Sequence, residues 1–333
     1  MVLSVGAAAA GEPDRVDSPA ELGLNTDVAA LGRPEPIPVA EAIAPLGEVT
    51  AIRSRPTPDA ELVARLAEQP DPVTAAALVE SGLRSGSRLV RTSAAVAALD
   101  TTGPRDEVLA QLVEGSSRGG PLTKAIGRIG LARVDPGHRA LRAVTVRPGP
   151  PPGRDRPSHT AVLTHGTFAA RSRWWQPGGD FYGYLGTLVP SLHLHDRSFQ
   201  WSGQYSDDAR RLAARQLADW VVDQRLSRPD FFAHSHGGTV ANLATRLGCE
   251  FDRLVLLSWP VHGEWFPDFG RVGRIVDIRV KMDLVIIADR GGQTFTPPPE
   301  HAAKVTSHVN GWFRHEDPHD PGYWREHNLP AVL

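Results

Sequence analysis

Large rings are missing from the first half of this chain. Every Phe, Trp and Tyr lies at or after Phe168, and every His at or after His138. Any core in the first part must therefore be built from Ala, Leu, Val and Ile, whereas the second part has rings for a core or a pocket. Cysteine is nearly absent as well. Cys249 stands alone, which excludes an intramolecular disulfide framework, and its apolar helical surroundings mark it as a buried packing residue. No apolar run approaches the roughly 20 residues that span a bilayer. Residues 1–10 carry no basic group, so no secretory signal is expected and the cytoplasm is the default location. Charge of one sign is also lacking. A net charge of −2 over 333 residues argues against a nucleic-acid or membrane-surface binder.

Three stretches are expected. Residues 1–56 are rich in Ala, Pro and Gly without clear periodicity and read as a loosely ordered arm. Residues 57–135 read as helical, with apolar positions at Leu62, Val63 and Leu66, then over 75–83 and 89–99. Asp59 and Thr74 are candidate N-caps, and Gly82 and Gly103 candidate breakers. The segment 58–66 aligns with 104–112 at an offset of about 46 residues, the spacing of HEAT-like helical repeats. Two copies are few for such an array, so an ordinary Ala-rich bundle stands beside it. No catalytic constellation falls in this part; docking of a protein partner is the role left open. A Pro/Gly/Arg-rich run over 147–153 reads as a linker.

Residues 136–333 alternate strand and helix. Strands are expected at 160–164, 192–201, 231–233, 254–257, 275–280 and 304–309, with helices at 208–224 and 239–247. That alternation favours a mostly parallel sheet flanked by helices, an α/β fold, with active residues past the carboxyl ends of strands.

Four strand ends carry reactive groups. Pro229-Asp230-Phe231-Phe232-Ala233-His234-Ser235-His236-Gly237-Gly238 is an apolar run, a serine between small residues and a helix start. It has the pattern of a nucleophile elbow, in which a crowded turn lifts a serine hydroxyl above a sheet. Upstream, 161–164 runs into His165-Gly166-Thr167. The N–H groups of Thr167 and His236 are candidate oxyanion donors. Asp283 follows the strand at 275–280 and is favoured over Asp289, which precedes two glycines as turn aspartates do. His315 leaves the last strand and is favoured over His308 and His319 as the base. The order Ser235, Asp283, His315 is that of a serine triad on an α/β sheet. Phe168, Trp174, Trp175 and Trp259 follow strand ends and are candidates to line an apolar pocket.

From about residue 140 onward the chain resembles the α/β-hydrolase superfamily, lipase/esterase type. The likeness rests on His165-Gly166-Thr167 followed by Trp174-Trp175, on Phe199-Gln200-Trp201-Ser202-Gly203 and on Ala233-His234-Ser235-His236-Gly237-Gly238. Met282-Asp283-Leu284-Val285, and His315 ahead of Asp320-Pro321-x-x-Trp324, complete it. It departs at Ala233, where relatives carry Gly, and at Arg314, where many carry a small residue. The resemblance implies a Ser-His-Asp esterase acting on a small-molecule ester or lipid-like substrate, with neither metal nor cofactor. It leaves no room for a large cap, so any lid is the loop at 258–273 or the segment 168–185. Thioesterase and amidase chemistry remain alternatives, as does a non-catalytic scaffold on the same fold. A metallohydrolase is a further alternative, because His193-x-His195-Asp196 and His234-x-His236 are spaced like ligand pairs.

Overall fold

The computed structural model describes residues 62–63, 65–66, 72–141, 160–188 and 192–333. The arm at 1–56, Asp59 and the linker at 147–153 lie outside the described residues, as does the start of the first repeat copy. The chain divides into two compact units. One comprises Met1–Leu141 with Lys281–Thr294 and Gly311–His315; the other comprises Arg142–Val280, Phe295–Asn310 and Glu316–Leu333. The helical unit thus also takes in two segments from the far end of the chain, which a single boundary at 135/136 does not capture.

In the first unit α1 (Pro72–Leu83), α2 (Arg88–Thr101), α3 (Asp106–Ser117) and α4 (Pro121–Val134) pack as neighbours, and α8 (Leu284–Asp289) packs on α4. Lacking rings, the core relies on close approach. The α2 face buries Val90, Ala94, Ala95, Val96 and Ala98. At the α3–α4 crossing a Cβ on Gly127 would stand 2.5 Å from the Ser116 backbone nitrogen, so only glycine fits there without the helices moving apart. Ser87 caps α2 through a bond from Val90 N–H. Thr74 is not a cap: α1 begins at Pro72, whose fixed φ suits a first helical position, and Thr74 is buried inside it. Gly82 likewise lies within α1 rather than ending it. Gly103, at φ 80°, does close α2, its N–H bonding Ala98 O at 2.8 Å.

The second unit is built on a six-stranded parallel sheet of order β2-β1-β3-β4-β5-β6, with helices flanking it. The strands are β1 (Thr160–Thr164), β2 (His193–Leu194), β3 (Asp230–His234), β4 (Phe251–Leu257), β5 (Val272–Lys281) and β6 (Val305–Trp312). The helices are α5 (Asp180–Leu188), α6 (Asp207–Asp223), α7 (His236–Arg246) and α9 (Pro321–Glu326). Alternate residues face opposite layers. Val162, Phe231, Ala233, Leu254, Leu256 and Ile275 join one core with Leu217 and Val240 of α6 and α7. Ala161, Leu163, Phe232, Val255, Leu257 and Val276 join the other with Phe181, Leu185 and Trp324. Both faces are covered, which is why β1 and β3 read as unbroken apolar runs. Each fully buried Leu or Phe contributes about 1.5–3 kcal/mol.

The strand expected over 192–201 is only two residues long. After β2 the chain keeps single contacts, His195 N–H to Ala161 O and Phe199 N–H to Leu163 O, while His195 Nδ1 accepts Arg197 N–H and breaks the ladder. Cys249 is buried, with its thiol pushed up to about 12 by burial. It lies past the end of α7, in the turn before β4, rather than on a helix.

Candidate active site

Ser235 sits where a buried strand must become a helix. β3 is buried along its whole length, and Ser235 N–H still bonds Leu257 O of β4 at 2.8 Å. The chain then turns sharply, with Ser235 at φ 52°, ψ −133°, a region that costs a side-chain-bearing residue on the order of 1–3 kcal/mol. The turn is crowded. A Cβ on Gly237 would meet His165 O at 2.6 Å, and one on Gly238 would meet Trp259 Cδ1 at 2.9 Å. Ala233, two residues before the serine, is fully buried.

The loop after β1 lies against this turn. A Cβ on Gly166 would stand 2.6 Å from Ser235 Cβ, so glycine is required for the two backbones to pass. His165 anchors the loop from within. Its Nδ1 donates to Gly166 O at 2.7 Å, its Nε2 accepts Trp201 N–H at 3.4 Å, and Trp201 Nε1 donates to His165 O at 2.8 Å. Burial pushes the His165 pKa down to about 4, against the smaller upward pull of its bonds to Gly166 and Trp201. It is therefore a neutral anchor. Phe168, at φ 61°, donates its N–H to Gly203 O at 2.8 Å. Thr167 N–H, one residue earlier, donates to no group among the described residues. His236 opens α7, so its N–H belongs to the helix's first-turn donors, at the positive end of its dipole.

The four candidate pocket residues separate. Phe168 and Trp174 are half-buried, whereas Trp175 and Trp259 are 2% and 0% exposed. Trp175 and Trp259 are core residues, not lining: Trp175 Nε1 bonds Ala169 O, and Trp259 packs edge-on to Phe295. Phe168 stacks with Tyr205, 6.4 Å between centroids. Trp174 lies flat on His319 at 4.0 Å, with His234 edge-on to both rings. His319, a candidate base by sequence, is thus a stacking partner of Trp174.

In the first unit, β5 ends at Lys281, Met282 turns at φ 51°, and Asp283 becomes the N-cap of α8. Its Oδ1 accepts Val285 and Ile286 N–H at 2.9 and 3.1 Å, leaving Oδ2 to meet His315 Nδ1 at 2.6 Å. Gln293 clamps the backbone, accepting Asp283 N–H at 2.8 Å and donating to Asp283 O at 3.3 Å. Asp283 is fully buried and His315 nearly so. His315 follows Phe313, at φ 67°, whose N–H bonds Lys281 O. The carboxylate that meets this imidazole is Asp283; Asp289 closes α8. His308 is half-buried on β6, and the side chain of Arg314 is exposed.

No protein-family model matches the chain, and no curated protein matches it. It shows a likeness to the crystal structure of an uncharacterized protein from Bacillus cereus ATCC 10987. That protein is 12% identical over 82% of this chain and 96% of its own, with a TM-score of 0.31. The likeness bears on neither chemistry nor substrate. Among the described residues no three His, Cys, Asp or Glu side chains gather as a metal site, and no helix is long and apolar enough to cross a membrane.

Two residues bonded to candidate groups, one in each unit, gave no sequence signal. Gln293, in a Gly-Gly-Gln turn, has no local motif that ties it to Asp283. Arg210, buried against His236, reads in sequence as a surface partner of Asp207 three residues away.

Proposed function

We propose that this chain is a serine hydrolase of the α/β-hydrolase type that cleaves a carboxylic ester. Ser235 Oγ attacks the acyl carbon, and His315 Nε2 takes its proton. Asp283 holds the Nδ1–H tautomer of His315 and offsets the imidazolium charge. The N–H groups of Thr167 and His236 receive the developing oxyanion; losing one such donor typically costs about 10²–10³ in rate. The alcohol leaves with the proton from His315. Water, giving its proton to the same nitrogen, then frees the acid and restores Ser235.

The observation that carries this reading is the backbone of Ser235, held at φ 52° between a buried strand and a helix start. Strain of this kind clusters at functional sites. The Asp283–His315 bond supports the base assignment. So does the strand order: Ser235 follows β3, Asp283 follows β5 and His315 follows β6 of one parallel sheet. The half-exposed rings of Phe168 and Trp174 suit an apolar acyl or alcohol group, lipid-like esters included. The test is hydrolysis of p-nitrophenyl esters of increasing chain length. Wild type is expected to turn them over, and His315→Ala to lose about 10³-fold or more in kcat. Equal rates in the two proteins would remove His315 from the chemistry.

A further inference from the structure

Arg210 is 3% exposed, which for a guanidinium demands compensation on every side. It lies in the first turn of α6, where its Nη1 donates to Asp207 Oδ1 at 2.8 Å. The rings of Tyr205 and Trp265 lie 4.7 and 4.9 Å from its Cζ. Its Nη2 reaches Nε2 of His236 at 3.0 Å. A guanidinium only donates, so Nε2 of His236 must present a lone pair, and the ring proton must sit on Nδ1. Nδ1 then donates to Thr239 Oγ1 at 3.1 Å, and the same oxygen accepts Trp259 Nε1–H at 3.1 Å. The rings of Tyr205, His262 and Trp265 also lie against this imidazole.

We infer that Arg210 is a positioning residue that fixes the tautomer of His236 and so protects the oxyanion-binding end of α7. The inference rests on the reading of Ser235 as nucleophile. Arg210 on Nε2 and Thr239 on Nδ1 grip the His236 ring from both sides, and His236 is the first residue of α7, whose N–H is the proposed oxyanion donor. With the proton on Nε2 the Arg210 bond is lost, and the ring is free to shift together with the backbone that carries this N–H. Arg210 holds the ring without touching the reacting atoms.

The test combines ring ¹⁵N NMR of the full chain with fluorophosphonate labelling rates. In wild type, His236, assigned by its loss in His236→Phe, is expected to carry its proton on Nδ1. Arg210→Met is expected to move that proton to Nε2 and slow labelling about tenfold or more, a part of the usual cost of a lost oxyanion donor. Arg210→Lys, still a pure donor, is expected to keep the tautomer and most of the rate. In a His236→Phe background, Arg210→Met is expected to change the rate little. A wild-type proton on Nε2 overturns the inference, and so does equal slowing by Arg210→Met in both backgrounds, which is the mark of packing alone. Wild type that resists labelling removes the nucleophile reading, and the inference with it. A labelled wild type with an unaffected Arg210→Met removes the inference only.

Discussion

His165 shows how a titratable residue becomes part of the frame. Its two ring nitrogens serve one donor and one acceptor role, to Gly166 O and from Trp201 N–H, and a second proton would have no partner. Because burial lowers its pKa to about 4, below the ordinary 6.5, the unfolded chain binds that proton more tightly than the folded one. Stability from this residue is therefore complete above about pH 6.5 and is lost as pH falls towards 4, to the extent of about 3 kcal/mol. Urea unfolding at stepped pH is expected to show this loss in wild type and a flatter profile in His165→Gln. Identical slopes would place the acid sensitivity elsewhere. At this scale the sequence was legible where a residue belongs to a local pattern. Ser235 is set by small neighbours and a following helix, Asp283 by the end of an apolar run. Arg210 and Gln293 were not legible, because their partners, His236 and Asp283, are distant or unmarked in sequence.

The elements meet most tightly where the loop after β1 crosses the turn between β3 and α7. Ser235 holds a conformation that glycine adopts at little cost, so the serine is kept there against stability. Ser235→Gly is expected to raise the unfolding free energy by about 1 kcal/mol, since it relieves that strain, while abolishing labelling; denaturant midpoints check the first part. A destabilised Ser235→Gly would mean the serine side chain is held by bonds that outweigh the strain. Strands β1, β3 and β4 were legible because strands covered on both faces become apolar runs. The segment 192–201 misled for a physical reason: at the sheet edge, its apolar residues contact β1 singly instead of forming a ladder. The candidate tryptophans divided by burial, since rings after strand ends serve a core as readily as a pocket.

At the scale of the whole molecule, the hydrogen-bonded pair Asp283 and His315 belongs to the same compact unit as the Ala-rich helices. Asp283 caps α8, α8 packs on α4, and Arg290 pairs with Asp100 of α2. Composition alone could not reveal this, because the two late segments read as parts of a strand–helix domain. The helices are thus expected to hold the geometry of Asp283 and His315. Gly127→Val, which forces a side chain against the Ser116 backbone, is expected to lower amide protection in α3, α4 and residues 283–289 together. Cooperative units open as one. Loss confined to α3 and α4 would separate the helices from the pair.

The central claim is that Ser235 is an activated nucleophile. Its most direct test is reaction of the purified full chain with a fluorophosphonate probe, followed by peptide mapping, with Ser235→Ala and His315→Ala in parallel. The account predicts one adduct on Ser235 in wild type, none in Ser235→Ala, and much slower labelling in His315→Ala. Folded wild type that acquires no adduct, or an adduct that persists in Ser235→Ala, would contradict it.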